Sequence, residues 1–314
     1  TGREIDAMED GDLVKAAFET GVFARVSPAH KLRILDALRA RGEIVAMTGD
    51  GVNDAPALKG ADIGVAMGIT GTEVAKGAAD MVLLDDNFAT IVHAVEEGRG
   101  IFNNLRRVIF FLLATNLGEV LTLAASLALG LPLPLTAIMI LWINLVTDGA
   151  CTIPLGVEPR HLDVLESPPR NPRDPVLTTG LLVRLGILAS VMTAGTILFF
   201  MYELKVTSLV QARTAAFTAL AAFQWFQAFN ARSSRRSVFS VGFFSNRWVL
   251  IGIGGAVLLQ VLAVQTQAGN LVFGTVPLGL SDWLLIVLVS SSIWAADELL
   301  KLIGLYERFD RKKK

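Results

Sequence analysis

The sequence contains one cysteine, Cys151, so no disulfide can close within the chain and cysteine usage does not fix a redox compartment. Its three histidines, His30, His93 and His161, are too scattered to suggest a histidine metal cluster. An excess of charge is lacking as well. Lys and Arg number 28 against 29 acids, a net charge of −1, so there is no basic surplus of the kind a nucleic-acid partner attracts. The chain opens Thr1-Gly2-Arg3-Glu4, without an initiator Met or a signal peptide, and is expected to be a piece of a longer protein. What it has in surplus is apolar surface. Hydrophobic residues make up 53% of 314, with a mean hydropathy of +0.54, too apolar for an ordinary soluble protein. The surplus is uneven, because residues 1–100 alternate apolar and charged segments whereas most of 108–304 falls into apolar runs.

In the first hundred residues the pattern predicts strands at Val22–Ala24, Ile44–Met47, Ile63–Met67 and Met81–Leu84. Between them fall a helix over Ala29–Ala40 with Pro28 in its first turn and a short helix from Asn53 to Lys59. Such alternation implies a mostly parallel sheet with helices on its faces. Directly after the second strand comes Met47-Thr48-Gly49-Asp50-Gly51-Val52-Asn53-Asp54-Ala55-Pro56-Ala57-Leu58. Two acids, an amide and two glycines at the carboxyl end of a strand are what a magnesium and phosphate site needs. Asp50 is the candidate magnesium ligand, because a hard dication takes carboxylate oxygens. Asn53 and the backbone around Gly49 and Gly51 are candidates for phosphate oxygens, and Lys31 for neutralising charge on a transferred phosphoryl group. The blander reading is that Asp50 and Asp54 merely cap a turn and a helix.

Six spans are expected, at 108–129, 136–156, 180–201, 212–230, 248–267 and 282–303. Arg106, Arg107, Arg160, Arg170, Arg173, Arg232, Arg235, Arg236, Arg247, Arg308, Arg311 and Lys312–Lys314 gather in alternate connections and at the end. The opposite connections Gly130–Leu135 and Ala268–Leu280 carry no base. Both termini are therefore expected on the cytoplasmic side. Phe88–Arg107 has no helix breaker except glycines, so the first span should continue as one long helix, a mechanical link toward the phosphate site. Inside the spans stand Asn116 and Glu119, three apart, and Asn144, Thr147 and Asp148 at i, i+3 and i+4. A carboxylate inside a membrane is costly unless paired, protonated or cation-bound, which makes Glu119 and Asp148 candidate ligands of a hard cation such as calcium. Helix–helix hydrogen bonding is the alternative, above all for Asn116 or Thr147 singly. Gly149 and Pro154 are expected to unwind the helix beyond Asp148 and free carbonyl ligands. Asp297 and Glu298 are expected at the membrane interface, and Trp248 and Trp283 as interfacial anchors. A phosphate site joined to intramembrane acids points to ion transport driven by phosphoryl transfer.

The string Thr48-Gly49-Asp50-Gly51-Val52-Asn53-Asp54-Ala55-Pro56 resembles the hinge motif of P-type cation-transporting ATPases. Phe23-Ala24-Arg25-Val26-Ser27-Pro28-Ala29-His30-Lys31 is similar to the segment carrying that family's phosphate-site lysine. Asp85-Asp86-Asn87-Phe88 with Glu96-Glu97-Gly98-Arg99 resembles its run into the C-terminal bundle, and the likeness continues to Asp297-Glu298-Leu299-Leu300-Lys301. It is nearest the calcium-pump branch. The resemblance implies a partial haloacid-dehalogenase-like (Rossmann-like α/β) phosphorylation domain over 1–87, with Lys31, Thr48, Gly49, Asp50, Asn53 and Asp54 at its site. It further implies a stalk over 88–107, an all-α six-helix transmembrane bundle over 108–304 and a basic tail over 305–314. Mg2+ and ATP are the implied cofactors, ATP being held mainly by domains absent from this chain; the implied partners are a bilayer, with the plasma membrane as the expected location, the missing N-terminal pump domains and calcium as the transported cation. Asn116-Leu117-Gly118-Glu119 and Asn144-Leu145-Val146-Thr147-Asp148-Gly149 are similar to the calcium-coordinating stretches of the family. One departure is Gln224, where two-site calcium pumps carry glutamate; it favours one calcium per cycle or another cation, with Gln224 either a ligand or an interhelical contact. The family's phosphorylated Asp-Lys-Thr-Gly-Thr is absent, and no Asp-Lys pair occurs, so the segment alone is expected not to hydrolyse ATP. The alternatives are a sodium, proton or manganese pump, or a truncated membrane protein that binds cations or a partner without catalysis. A phosphatase fused to a membrane anchor ranks last, for want of a suitable Asp-x-Asp on an upstream strand.

Overall fold

The computed structural model of the chain describes residues 1–159, 164–166, 169–171 and 174–304. The expectations for Arg160, His161, Pro168, Arg173 and the basic tail 305–314 therefore lie outside the described residues. The chain divides into two compact units, Thr1–Glu97 and Gly98–Lys314.

The first unit begins with helices α1 (Gly2–Ala7), α2 (Asp10–Glu19) and α3 (Pro28–Ala40). Ser27 starts α3: its hydroxyl accepts the His30 N–H at 3.2 Å, and the Ser27 N–H donates to His30 Nδ1 at 3.0 Å. With both groups satisfied and Pro28 fixing the first turn, the helix start is sharply set. Ile5, Leu13, Ala17 and Ala37 bury together beneath these helices. The sheet follows as β1 (Ala46–Gly49), α4 (Ala55–Gly60), β2 (Ile63–Met67), α5 (Glu73–Ala78) and β3 (Met81–Leu83). All three strands are parallel, in the order β1-β2-β3, with Ala46 opposite Ile63 and Val65 opposite Met81. Parallel pairing needs crossovers, which α4 and α5 supply, and it places the carboxyl ends of all three strands on one edge. The central strand is covered on both faces: Ala66 packs with Leu58 and Ala75, and Val65 and Met67 with Leu83.

The expected strand at Val22–Ala24 is not formed. Val22 is 81% exposed and Arg25 turns through a φ of 57°. Phe23 packs against the Ile5 cluster instead. Three apolar residues signalled burial of one side chain, not a backbone with a neighbour to pair.

The second unit is helical. Helix α6 (Ala89–Ala128) is a single helix of 40 residues, as the lack of breakers implied, and the unit boundary falls inside it. Next come α7 (Ala137–Trp142), a π-helical turn over Ile143–Thr147, and α8 (Asp148–Gly156). Helices α9 (Thr179–Val206), α10 (Leu209–Ala231), α11 (Val238–Val241), α12 (Arg247–Gln265), α13 (Gln267–Phe273) and α14 (Leu280–Leu302) complete it. Among the described residues five stretches are long and apolar enough to cross a membrane: α6, Ala137–Gly156, α9, α12 and α14. The expected sixth, α10, has 23 residues but is not among the five. The reason is its position: α10 packs against α8, α9, α12 and α14, and Thr214, Thr218, Gln224, Gln227 and Asn230 along it are fully buried. A helix enclosed by other helices carries polar residues that bond across the bundle, so its hydropathy falls.

The helix does not unwind at Gly149 and Pro154; α8 runs through both. The irregularity lies one turn earlier, where the Asp148 N–H bonds the Ile143 carbonyl five residues back. One residue more per turn re-aims Asn144, Thr147 and Asp148 without exposing a broken helix, and such turns recur at functional sites.

Candidate functional site

At the carboxyl end of β1 the chain turns through Gly49-Asp50-Gly51 into a 3₁₀ turn over Val52–Asp54. The two acids of this turn separate. Asp54 is 8% exposed; its Oδ1 takes a 2.5 Å ion pair from Lys31 Nζ and its Oδ2 accepts the Gly51 N–H at 3.2 Å. Burial opposes its ionisation, but the Lys31 bond and the Gly51 and Asp50 N–H groups outweigh burial and hold its carboxyl below the usual range. Gly49 is buried, and a Cβ there would meet Asp54 Cβ at 2.5 Å, so the close approach needs glycine. Asp50 is exposed, and among the described residues no hydrogen bond or ion pair engages its carboxylate. Asn53 is exposed and Thr48 half-buried on β1. The turn-closing role thus falls to Asp54, while Asp50 is left free at the sheet edge. One exposed carboxylate at the end of a strand suits magnesium, which keeps several waters and needs few protein ligands.

In the second unit Glu119, Asp148, Glu158, Glu203 and Asp297 are all buried acids. Glu119 Oε1 accepts from Gln224 Nε2 at 2.9 Å, and the Asn144 side chain lies near this carboxylate. Asp148 Oδ1 accepts from Thr115 Oγ1 at 3.4 Å and Oδ2 from Asn116 Nδ2 at 3.3 Å. The two carboxylates are close enough for their charges to interact. Five of the six expected residues therefore fall into two groups, Asn116 with Asp148 and Gln224 and Asn144 with Glu119. Thr147 is buried beside Asp148 in sequence, with no bond to either acid. Gln224 is fully buried, and its Oε1 has no hydrogen-bond partner. A buried acceptor left unpaired beside a carboxylate is a group that a cation or water would satisfy. Among the described residues no three His, Cys, Asp or Glu converge, so amide, hydroxyl and carbonyl oxygens would have to complete a shell here. Thr115 was not foreseen; its place one residue before Asn116 was the only signal.

The other buried acids are handled differently. Asp297 is not interfacial but fully buried: Arg184 Nε meets its Oδ1 at 2.6 Å and Nη2 its Oδ2 at 2.8 Å, while Lys301 lies 2.9 Å away. Arg232, expected as a loop charge, is 1% exposed and donates to Glu158 Oε1 at 2.8 Å, with Asn246 on Oε2 at 2.6 Å. An arginine within the third apolar run was the overlooked sign of the first pair. Glu203, in the last turn of α9, takes the Thr207 hydroxyl at 3.3 Å. Asp297→Ala leaves Arg184 buried without its bidentate partner and is expected to cost about 3–5 kcal/mol. A thermal melt in detergent checks this, and an unchanged melting temperature would refute it.

The sheet edge thus holds a carboxylate without a bond of its own, and the helical unit a pair of buried acids without an arginine among the described residues. The family model described as "Cation transporting ATPase, C-terminus" matches residues 132–303, and that described as "haloacid dehalogenase-like hydrolase" matches 3–62. The chain belongs to the P-type cation-transporting ATPases, is most like their calcium-pump branch, and matches the C-terminal part of that family. Calcium-transporting ATPase 1 of Saccharomyces cerevisiae is 45% identical over 304 residues, 96% of this chain and 32% of that protein. The "Probable cation-transporting ATPase F" of Mycobacterium tuberculosis is 45% identical over 307 residues, 96% of this chain and 34% of its own length. Calcium-transporting ATPase type 2C member 2 of Homo sapiens is 42% identical over 308 residues, 98% of this chain and 33% of its own. The chain thus spans about a third of the length of these relatives.

Proposed function

We propose that this chain supplies the magnesium-binding edge and the ion site of an ATP-driven calcium pump. Glu119 and Asp148, with Asn116, Asn144, Thr147 and Gln224, hold the transported ion. The observation that carries the reading is the contrast among buried acids. Asp297 and Glu158 each have an arginine and Glu203 takes the Thr207 hydroxyl alone at the end of α9, whereas Glu119 and Asp148 are two acids near each other that face amides and a hydroxyl, with no cationic partner among the described residues. Two carboxylates side by side in an apolar bundle are stabilised by a guest cation. Calcium is favoured over sodium, since two carboxylates and several neutral oxygens suit a hard dication. Gln224 contributes a neutral oxygen where a second acid would be needed for a second dication, which supports one ion per cycle.

At the sheet edge Asp50 is the magnesium ligand; the metal, when bound, neutralises charge on the phosphoryl oxygens. Lys31, steadied by Asp54, places a second positive charge at the same edge, and Asn53 offers an amide to a phosphate oxygen. The phosphorylated aspartate and most of the ATP site belong to parts of the pump outside this chain, so the segment alone does not turn over ATP. A multi-pass plasma-membrane protein with both termini cytoplasmic agrees with the arginine-rich connections.

The test is ATP-driven uptake of radioactive calcium into proteoliposomes by the full-length protein. Calcium uptake unaffected by collapsing a sodium gradient supports the reading. Sodium or proton movement without calcium uptake would replace the ion, and no ATP-dependent uptake of any cation would favour a non-catalytic binding protein.

A further inference from the structure

The carboxyl edge of the sheet carries a third acid that the site has not used. Asp86 follows β3 and adopts a left-handed φ of 50°, a conformation Asp tolerates better than most residues. Its carboxylate is gripped by the loop after β2. Oδ1 accepts the N–H groups of Gly68 at 2.7 Å and Ile69 at 3.0 Å, and Oδ2 accepts the Thr70 N–H and Thr70 Oγ1, each at 2.8 Å. The Gly68 N–H is also 2.8 Å from the Leu83 carbonyl. Three successive backbone donors around one carboxylate form a closed anion nest. The Ile69 N–H, first among these bonds, brings the Asp86 pKa to about 2, so it remains ionised at any working pH.

The loop so fixed continues to Asp50. At Gly71 a Cβ would run into the Met67 carbonyl, so the chain turns back there only with glycine. Thr72 then does two things: its Oγ1 accepts the Ala75 N–H at 3.3 Å to start α5, and its own N–H donates to the Asp50 carbonyl at 2.8 Å. The line of bonds therefore runs from the Asp86 carboxylate through Gly68–Thr72 to the backbone of Asp50. The Asp50 side chain has no bond of its own among the described residues, so its direction is set by that backbone.

We infer that Asp86 is a positioning residue for the magnesium carboxylate, acting through the 68–72 loop on Asp50. The inference rests on Asp50 being the magnesium ligand. It is tested in the full-length pump by titrating phosphoenzyme formation from ATP with magnesium chloride. Asp86→Ala should raise the half-saturating magnesium by roughly tenfold or more, the scale on which loss of an outer-shell partner weakens a metal site. Half-saturation by ATP and by calcium should stay where it was. Thr70→Val, which removes one of the four donors and leaves the nest, should shift magnesium in the same direction by less and covers the case in which Asp86→Ala does not fold. Unchanged magnesium dependence in a folded Asp86→Ala protein would overturn the inference, as would an equal loss of affinity for magnesium, ATP and calcium. Asp50→Asn separates the two claims: if it phosphorylates normally, the magnesium reading itself falls; if it is dead while Asp86→Ala is normal, only the positioning role falls.

Discussion

Asp50→Asn in the full-length pump is expected to abolish phosphoenzyme formation from ATP at ordinary magnesium. The loss should be at least about 100-fold in rate, since removing a direct ligand exceeds the effect of losing an outer-shell partner. The same change should leave folding almost untouched. The Asp50 carboxylate is exposed and unbonded, so neutralising it removes no native contact, and stability should stay within about 0.5 kcal/mol. Asp54→Asn is the contrasting variant: it breaks the 2.5 Å pair with Lys31 and so disturbs the turn itself. Rapid-quench phosphorylation and a melting curve on each variant distinguish a ligand from a turn-former. Normal phosphorylation of Asp50→Asn would refute its magnesium role.

The second large effect is expected at Asp148. Its two oxygens both accept, from Thr115 and from Asn116. Asparagine keeps the shape, can still accept from the Asn116 amide and can donate to the Thr115 hydroxyl, so what it removes is the charge. Calcium activation of phosphorylation should weaken by at least ~100-fold, or about 2.7 kcal/mol. Nucleotide affinity should not change, because the side chains bonded to Asp148, Thr115 and Asn116, belong to the helical unit. Unchanged calcium dependence would remove Asp148 from the ion site.

Much of this arrangement is legible in the chain. The parallel sheet follows from alternating short apolar runs and amphipathic stretches, and β2 and β3 lie where that pattern puts them. The hinge string is dense enough in acids and glycines to mark the sheet edge. The membrane acids announce themselves because a carboxylate among Leu, Val and Ile has few reasons to be there. What remained hidden depends on contacts far apart in sequence. Whether Asp50 or Asp54 is the free acid is decided by Lys31, 23 residues before Asp54. Asp297 has the sequence position of an end-of-helix charge, and its burial is decided by Arg184, 113 residues earlier. The π turn at Ile143–Thr147 leaves no compositional trace, whereas Gly149 and Pro154, which did attract notice, are accommodated in α8. The run 212–230 reads as a span, yet α10 falls outside the five apolar stretches because buried polar residues along it lower its hydropathy, which the run's length alone does not reveal.

The central claim is that Glu119 and Asp148 hold the transported cation. Equilibrium binding of radioactive calcium to the purified full-length pump without ATP tests it directly. One calcium per pump is predicted, lost in both Glu119→Gln and Asp148→Asn and retained in Asp50→Asn. Calcium bound with unchanged affinity in the first two variants would contradict it.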